Sequence, residues 1–242
     1  MQKNTLLWIV TLLFGIILLS SCSFGMVVGS GRSVTETRSV SNFNAVKFAF
    51  IGDLTITQGA EESLTITGDD NIVALIRATV QDGVLHIDAG AANIGRPIVP
   101  LRYVLTVKKL ESLTLSGLGN IEIASLETRN LALSLTGAGS LRIDNLAAAD
   151  LAVTLSGLGS ANLSGEVNKQ AVTVSGAGSY YAVKLRSQSA AVRISGLGNA
   201  EVWAVETLAA NISGAGNIRY AGNPQVTQNI TGLGNIQSIG DE

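Results

Sequence analysis

The residues of this chain that recur with the most regular spacing are pairs of glycines separated by one residue and preceded by Ser or Thr. Gly-rich loops bind phosphate when they carry a Lys and open a helix. Seven such blocks occur here without that Lys, without a helical pattern behind them and without the Asp of calcium-binding nonapeptide repeats. They are therefore predicted to be structural turns, formed by Gly117, Gly119, Gly137, Gly139, Gly157, Gly159, Gly176, Gly178, Gly196, Gly198, Gly214, Gly216, Gly232 and Gly234.

Few other residues have the type and setting that catalysis or metal binding requires. The single His, His86, alternates with apolar residues in Val84–Asp88 and is expected to face solvent from a strand. Asp69, Asp70 and Asn71 offer oxygen ligands, but a cation needs several converging ligands, and this segment is typical of a turn. The sequence predicts no catalytic residue, no metal and no cofactor.

Cys22 is the only cysteine, and it directly follows an apolar run, Leu6–Leu19, with Lys3 before it. The run is shorter than the roughly 20 residues that cross a bilayer, which favours a signal peptide over residues 1–21. Leu19–Cys22 resembles a bacterial lipobox, which implies cleavage before Cys22, lipid on that residue and export to the cell envelope. The alternatives are an uncleaved helix and a cysteine buried in the signal region.

The seven blocks define the elements that position everything else. Their starts are 18 to 20 residues apart, and residues three and one before each Ser or Thr are mostly apolar, with a polar residue between them. After the glycines the alternation resumes, as in Ile121 and Ile123 around Glu122. This period predicts strand, Gly turn and strand, followed by a looser connection such as 125–130. Two glycines would each cost a helix about 1 kcal/mol.

Equivalent positions carry equivalent residues in every copy, which favours stacking in register over antiparallel hairpins. We therefore predict an all-β, right-handed parallel β-helix-like solenoid with about 18 to 20 residues per coil. It forms one domain over residues 34–242, with the repeats in 113–242, behind a Gly/Ser-rich tether at 22–33. Irregular first coils over 34–112 are expected to cover the end of the stack, with strands and a short helix at 45–50, 54–57, 63–67, 71–79, 84–87 and 103–107.

Stacking would align like side chains in rows along the solenoid. Asn and Ser after each second glycine are expected to hydrogen-bond along the axis. The residue between the glycines alternates between Leu and Ala, which indicates either interdigitation or duplication of a two-coil unit. A further surface row serves register and solubility or forms a candidate binding stripe. Opposite charges fall on adjacent coils twice in this row, at Glu122/Arg142 and Glu201/Arg219, where ion pairs are expected. The row consists of Glu122, Arg142, Asn162, Tyr181, Glu201, Arg219 and Gln237.

Composition limits the partners. The 242 residues carry a net charge of −2, which gives no basic surface for nucleic acid. With 46% hydrophobic and 14% charged residues the chain is not intrinsically disordered, and one Cys builds no disulfide framework. The expected partners are the membrane, through lipid on Cys22, and a surface glycan or envelope protein.

The exported region, over about residues 34–238, resembles the bacterial family described as putative auto-transporter adhesin, head GIN domain. The resemblance depends on Val40–Val46, Ile56–Gly59, Leu64–Asn71, Val84–Asp88 and the Gly-x-Gly-Asn/Ser blocks, although Ser replaces Asn at 140, 160 and 179. It implies an all-β coiled fold at the cell surface and supplies no catalytic residues.

Together these patterns predict a lipid-anchored, non-catalytic binding, adhesion or scaffolding module. The alternatives are a polysaccharide-acting hydrolase or lyase, which would need acidic or basic residues gathered on one coil surface, and a purely structural envelope element.

Overall fold

The computed structural model describes residues 25–240, which form strands, one helix and short connections. The helix is α1 (Asp70–Val73). Up to the first Gly turn the strands are β1 (Ser33–Arg38), β2 (Ala45–Phe48), β3 (Asp53–Gln58), β4 (Ser63–Asp69), β5 (Arg77–Gln81), β6 (Val84–Asp88), β7 (Arg102–Val107) and β8 (Ser112–Leu115). Beyond it they are β9 (Asn120–Ile123), β10 (Leu126–Leu135), β11 (Ser140–Leu155), β12 (Ser160–Val174), β13 (Ser179–Ile194), β14 (Asn199–Ile212), β15 (Asn217–Ala221), β16 (Gln225–Ile230) and β17 (Asn235–Gly240).

Successive repeats lie directly on one another as parallel coils. β10 pairs with β11, β11 with β12, β12 with β13 and β13 with β14, all in parallel, so that equivalent residues of each repeat are register partners. The chain is a β-solenoid of about 6 turns, which confirms the predicted stacking and excludes antiparallel hairpins for the repeats.

Each coil has three faces, named here by their position relative to the Gly turn. The pre-turn face holds the strand before the turn, as in 131–135, and the post-turn face holds the strand after it, as in 140–143. The connecting face holds residues such as 126–130, and the long strands β11 to β14 bend through all three faces.

The predicted loose connection at 125–130 is wrong. β10 begins at Leu126, which is 1% exposed and pairs with Leu146 of the next coil. On the connecting face, several polar residues separate one inward-facing residue from the next. The sequence of this face therefore shows no alternation of apolar and polar residues.

The core lies inside the coils. Leu133, Leu135, Leu141 and Ile143 are at most 2% exposed, while the residues between them face outward. Each such side chain contributes roughly 1.5 to 3 kcal/mol on burial, which is the main force that holds the coils together.

The Gly turns are tight because the coils touch there through their backbones. The backbone N–H of Leu158 donates to the carbonyl oxygen of Gly137, at 3.1 Å between N and O. A Cβ atom on Gly157 would lie 2.0 Å from that same oxygen. The turns therefore require glycine because of this close approach, and their φ angles lie outside the left-handed region.

At the N-terminal end the parallel pairing gives way to antiparallel strands. β1 pairs with β4, β4 with β7 and β5 with β6, all antiparallel. The helix predicted at 71–79 ends at Val73, and Arg77–Gln81 is a strand. That strand turns into β6 through Asp82 and Gly83, both with positive φ, which is the geometry of a two-residue hairpin turn.

Replacing Gly176 by Ala should destabilise the solenoid by about 3 kcal/mol, because the new Cβ would lie 2.2 Å from the carbonyl oxygen of Gly157 and the stacked backbones must separate. Thermal unfolding followed by circular dichroism measures the effect. Ala177→Ser, at the exposed position of the same turn, is the matched control and should melt with the parent. Equal melting of Gly176→Ala and the control would contradict close packing of the turns.

Candidate functional site

The residues of the predicted binding stripe form one continuous row on the post-turn face. Each is the register partner of the next, from Glu122 through to Gln237. Within the row, Arg219 donates to Glu201 at 2.7 Å. Arg142 instead pairs with Asp144 of its own coil, at 2.6 Å, so the pairing of Arg142 with Glu122 suggested by the spacing does not form.

Tyr181 separates two shallow depressions on this face. One, of about 240 Å³, is bordered by Arg142, Asn162 and Lys184 as well as Tyr181. The other, of about 260 Å³, has polar walls from Asn199, Glu201, Asn217, Arg219 and Gln237. The ring of Tyr181 is the one aromatic surface in the row, and the residue is 41% exposed. The face thus offers an aromatic platform with hydrogen-bonding groups on both sides.

Beside both ends of this row, side-chain hydrogen bonds join some of the Asn and Ser residues that follow the Gly turns. Ser140 donates its hydroxyl to Asn120 at 2.7 Å, and the Asn217 amide donates to Asn199 at 3.1 Å. Asn120 in turn donates to Asp53 at 3.0 Å. These contacts hold the polar side chains in fixed positions along the edge of the post-turn face.

A second concave surface lies where the connecting face bends into the pre-turn face. This groove, of about 740 Å³, passes over seven coils, and we call it the alanine groove. Its inner wall is a row of outward-facing alanines, and its outer wall is a row of mostly polar residues from the connecting face. The alanines are Ala132, Ala152, Ala171, Ala191 and Ala209, and the outer wall includes Glu111, Asn130, Asp150, Lys169, Ser189, Thr207 and Gln225.

The acidic segment Asp69 to Asn71 holds the N-terminal segment; it is the junction of β4 and α1 and not the predicted turn. Asp69 is fully buried and accepts hydrogen bonds from the backbone N–H groups of Gly31, Ile98 and Val99, at 2.7, 2.9 and 3.0 Å. Backbone donors therefore occupy the carboxylate oxygens of Asp69, one of the three residues whose oxygens were considered as possible cation ligands.

Its neighbour Asp70 accepts hydrogen bonds from Ser30 and Arg32, which lower the pKa of that carboxyl. The segment 22–33 was expected to form a tether, but from Val27 onward it is held against the solenoid. Val27 forms a parallel β-bridge with Ile94.

Within the described chain, no three His, Cys, Asp or Glu side chains approach closely enough to hold a metal ion. His86 lies half-exposed in β6, beside Lys47 of the neighbouring strand. Cys22 and the predicted signal peptide, 1–21, lie outside the described residues.

A buried polar cluster fills the core under the alanine groove. Gln170 takes a core position held by Leu151 in the preceding coil, and it donates to the Ser187 hydroxyl at 2.8 Å. The Tyr180 hydroxyl donates to the Gln170 side-chain oxygen at 3.0 Å, and Ser187 donates to the Trp203 carbonyl at 2.7 Å. Burial raises the pKa of Tyr180, so the phenol stays neutral. The cluster is internally satisfied and serves stability.

The family described as putative auto-transporter adhesin, head GIN domain, matches residues 42–224. The chain belongs to this family. Among curated proteins there is no match.

Solved structures share its fold across almost their whole length. A putative adhesin from Bacteroides fragilis NCTC 9343 is 28% identical with a TM-score of 0.84, over 88% of this chain and 100% of that one. A putative lipid binding protein from Parabacteroides distasonis ATCC 8503 is 22% identical (TM-score 0.75), and a putative adhesin from Parabacteroides merdae ATCC 43184 is 24% identical (TM-score 0.72). Each aligns over 88% of this chain and 99% of its own.

Within the described range, no helix is both long and apolar enough to cross a bilayer.

Sequence reasoning found the row of Tyr181 but missed the alanine groove and the Gln170 cluster. The five exposed alanines recur at the fourth position before each Ser or Thr, which was an available signal. The signal for the buried cluster was Gln170, which interrupts an otherwise apolar row.

The same change, Tyr to Phe, should have different effects at two buried sites. At Tyr180 it leaves the Gln170 oxygen without its donor and should cost about 1 to 3 kcal/mol. At Tyr103 the buried hydroxyl has no hydrogen-bond partner among residues 25–240, so Tyr103→Phe should be neutral or slightly stabilising. Urea unfolding of both variants compares the free energies directly, and equal losses would contradict the assigned role of the cluster.

Proposed function

We propose that this protein is a lipid-anchored, non-catalytic adhesin-like module of the cell envelope that binds polysaccharide through its post-turn face. The observation that carries the proposal is the exposed Tyr181 ring between two polar depressions. Membership of a family described as adhesins supports the general class.

The chemistry of the face suits sugars. The apolar side of a pyranose ring stacks on an aromatic ring, while its hydroxyls pair with planar amides, carboxylates and guanidinium groups. Asn162 and Arg142 lie on one side of Tyr181, and Asn199 and Glu201 on the other. The rows repeat at about 4.8 Å, so a long polysaccharide would make many weak contacts whose sum gives affinity.

The two depressions beside Tyr181 lack the carboxylate pair that glycoside hydrolysis uses. Each contains one carboxylate, and each is held in an ion pair, Asp144 with Arg142 and Glu201 with Arg219. A third depression, of about 320 Å³, holds both Asp53 and Glu122, where Asp53 already accepts a hydrogen bond from Asn120. A hydrolase or lyase activity, if present, would be expected there.

Binding is tested by presenting the full chain to immobilised envelope polysaccharides and a glycan array. Tyr181→Ala should weaken binding about tenfold or more, because it removes the aromatic anchor. Tyr181→Phe keeps the ring and should bind like the parent, as should Thr154→Ala on the pre-turn face. Unchanged binding by Tyr181→Ala would refute the assigned face, and release of shortened oligosaccharides would refute the non-catalytic function.

The anchor is tested by membrane fractionation of cells that produce the full chain. Cys22→Ser removes the sulfur that would carry lipid, so the protein should move from the membrane to the soluble fraction of the exported proteins. Ser23→Ala is the neighbouring control and should remain membrane-bound. Retention of Cys22→Ser in the membrane would contradict the proposed lipid anchor.

A further inference from the structure

A row of exposed leucines runs along the Gly turns. Leu118, Leu158, Leu197 and Leu233 are 68%, 72%, 69% and 92% exposed, with alanines in the turns between them. Single exposed aliphatic side chains are ordinary, but an aligned row of them marks an interaction surface. The leucines recur every second coil, about 10 Å apart, and therefore stand as separate knobs. We call this row the leucine ridge.

The leucine ridge and the alanine groove border the same face. In each coil the pre-turn strand runs from the groove to the Gly turn, for example from Ala152 to Leu155, with Leu158 on the ridge. The pre-turn face is therefore convex and apolar along one edge, and concave and apolar along the other.

The surface between these two edges is poor in charge. Among its outward positions in the seven repeats, only Arg193 is charged, whereas the matching positions of the post-turn face hold Glu122, Arg142, Glu201 and Arg219. Depletion of charge is typical of the centre of a protein interface.

The alanines themselves need an explanation outside the fold. Alanine is disfavoured in strands, yet it occupies the same outward position in five consecutive coils. Thr and Val would form the strand better at an exposed site. A small side chain is favoured where another surface must approach the backbone closely.

We propose that the pre-turn face binds a second copy of this chain, with the leucine ridge of each copy in the alanine groove of the other. A two-fold axis parallel to the solenoid axis produces this arrangement twice, because it exchanges the two edges of the face and keeps coils at the same height. Leu158 then faces Ala152 of the other copy, and Leu197 faces Ala191. A two-fold axis across the solenoid would instead place ridge on ridge and leave both grooves empty.

The face is large enough for such a dimer. Six coil spacings of about 4.8 Å and about seven residues of about 3.3 Å give a projected area of roughly 650 Å² per copy. The ridge and groove add relief to this area, and stable interfaces bury about 800 Å² per partner. The proposed face is therefore of the right size.

The same symmetry places both N-terminal ends together. β1 is the outermost strand at the N-terminal end of the stack, paired on one side with β4. Parallel solenoids keep the two copies of β1 at one end of the dimer, which is the orientation that two chains anchored in one membrane require. Both post-turn faces remain free, so the dimer does not depend on what those faces bind.

Cross-linking between differently tagged full-length chains tests the arrangement. One chain carries Asp150→Cys on the groove wall, the other carries Leu158→Cys on the ridge, and a short bis-maleimide is added to cells that produce both. The mixed pair should cross-link, whereas two chains that both carry Leu158→Cys, or both Asp150→Cys, should not. Equally strong cross-linking between two ridge cysteines, or none in the mixed pair, would overturn the proposal.

Charge on the ridge gives an independent test. For this test the ridge cysteine is moved to Leu118 and the wall cysteine to Glu111. Both tagged chains also carry Leu158→Glu and Leu197→Glu. These two charges should abolish the mixed cross-link. Tyr181→Glu on the post-turn face is the control and should retain it, and the circular dichroism spectra of both variants should match that of the parent. A mixed cross-link that survives the charged ridge would refute the dimer. The dimer would also be refuted if the chain without the two Glu substitutions is already monomeric and binds phospholipid vesicles, and if the substitutions abolish that binding. This result would assign the leucine ridge to a lipid surface.

Discussion

The in-register contact between consecutive coils is the constraint on which the rest of the structure depends. At about 4.8 Å the backbones of consecutive coils are hydrogen-bonded except at a few register shifts, such as the one between Ile143 and Leu146. At the Gly turns the backbones are so close that the carbonyl of Gly137 excludes a Cβ on Gly157. The same contact brings equivalent side chains into rows. Up to the last described coil, a row is either buried, as for Leu133 and Val153, or faces outward. Surface chemistry in this protein is therefore organised by row and by face.

The sequence contained enough information to predict the coil, its period and its inward rows, because alternation and glycine spacing are local and repeat seven times. It did not predict the strand that begins at Leu126, where inward residues are too widely spaced to show a period. The alanine groove was also missed, since its concavity comes from a bend between two faces and not from any one strand. The partner of Arg142 was missed because Asp144, in the same coil, lies closer than Glu122 in the adjacent coil.

The two ends of the stack differ in how the strand ladder stops. At the N-terminal end, antiparallel strands replace parallel coils. Buried Asp69 accepts one hydrogen bond from Gly31 of the preceding segment and two from Ile98 and Val99 of the connection between β6 and β7, so it ties both segments to these strands. At the other end the last described coil keeps the repeat sequence, and Ile230 is 41% exposed where Ile212 of the coil before is 1% exposed. The N-terminal strands are irregular in sequence because they close the stack, and this closing role hid the strand at 77–81 from a search for repeats.

The two faces beside the Gly turn share one backbone geometry, so their different chemistry is not imposed by folding. Inward positions must fit the core, but outward positions on the two faces are equally free to be charged. One face keeps charged and planar polar groups around Tyr181, and the other keeps alanine through five coils at a cost in strand propensity. A consistent outward preference that folding does not require indicates contact with something outside the chain. Because the faces lie on opposite sides of each turn, a partner on the alanine face leaves the polar face free. Two such faces held in one dimer would bind a long polymer far more tightly than either face alone.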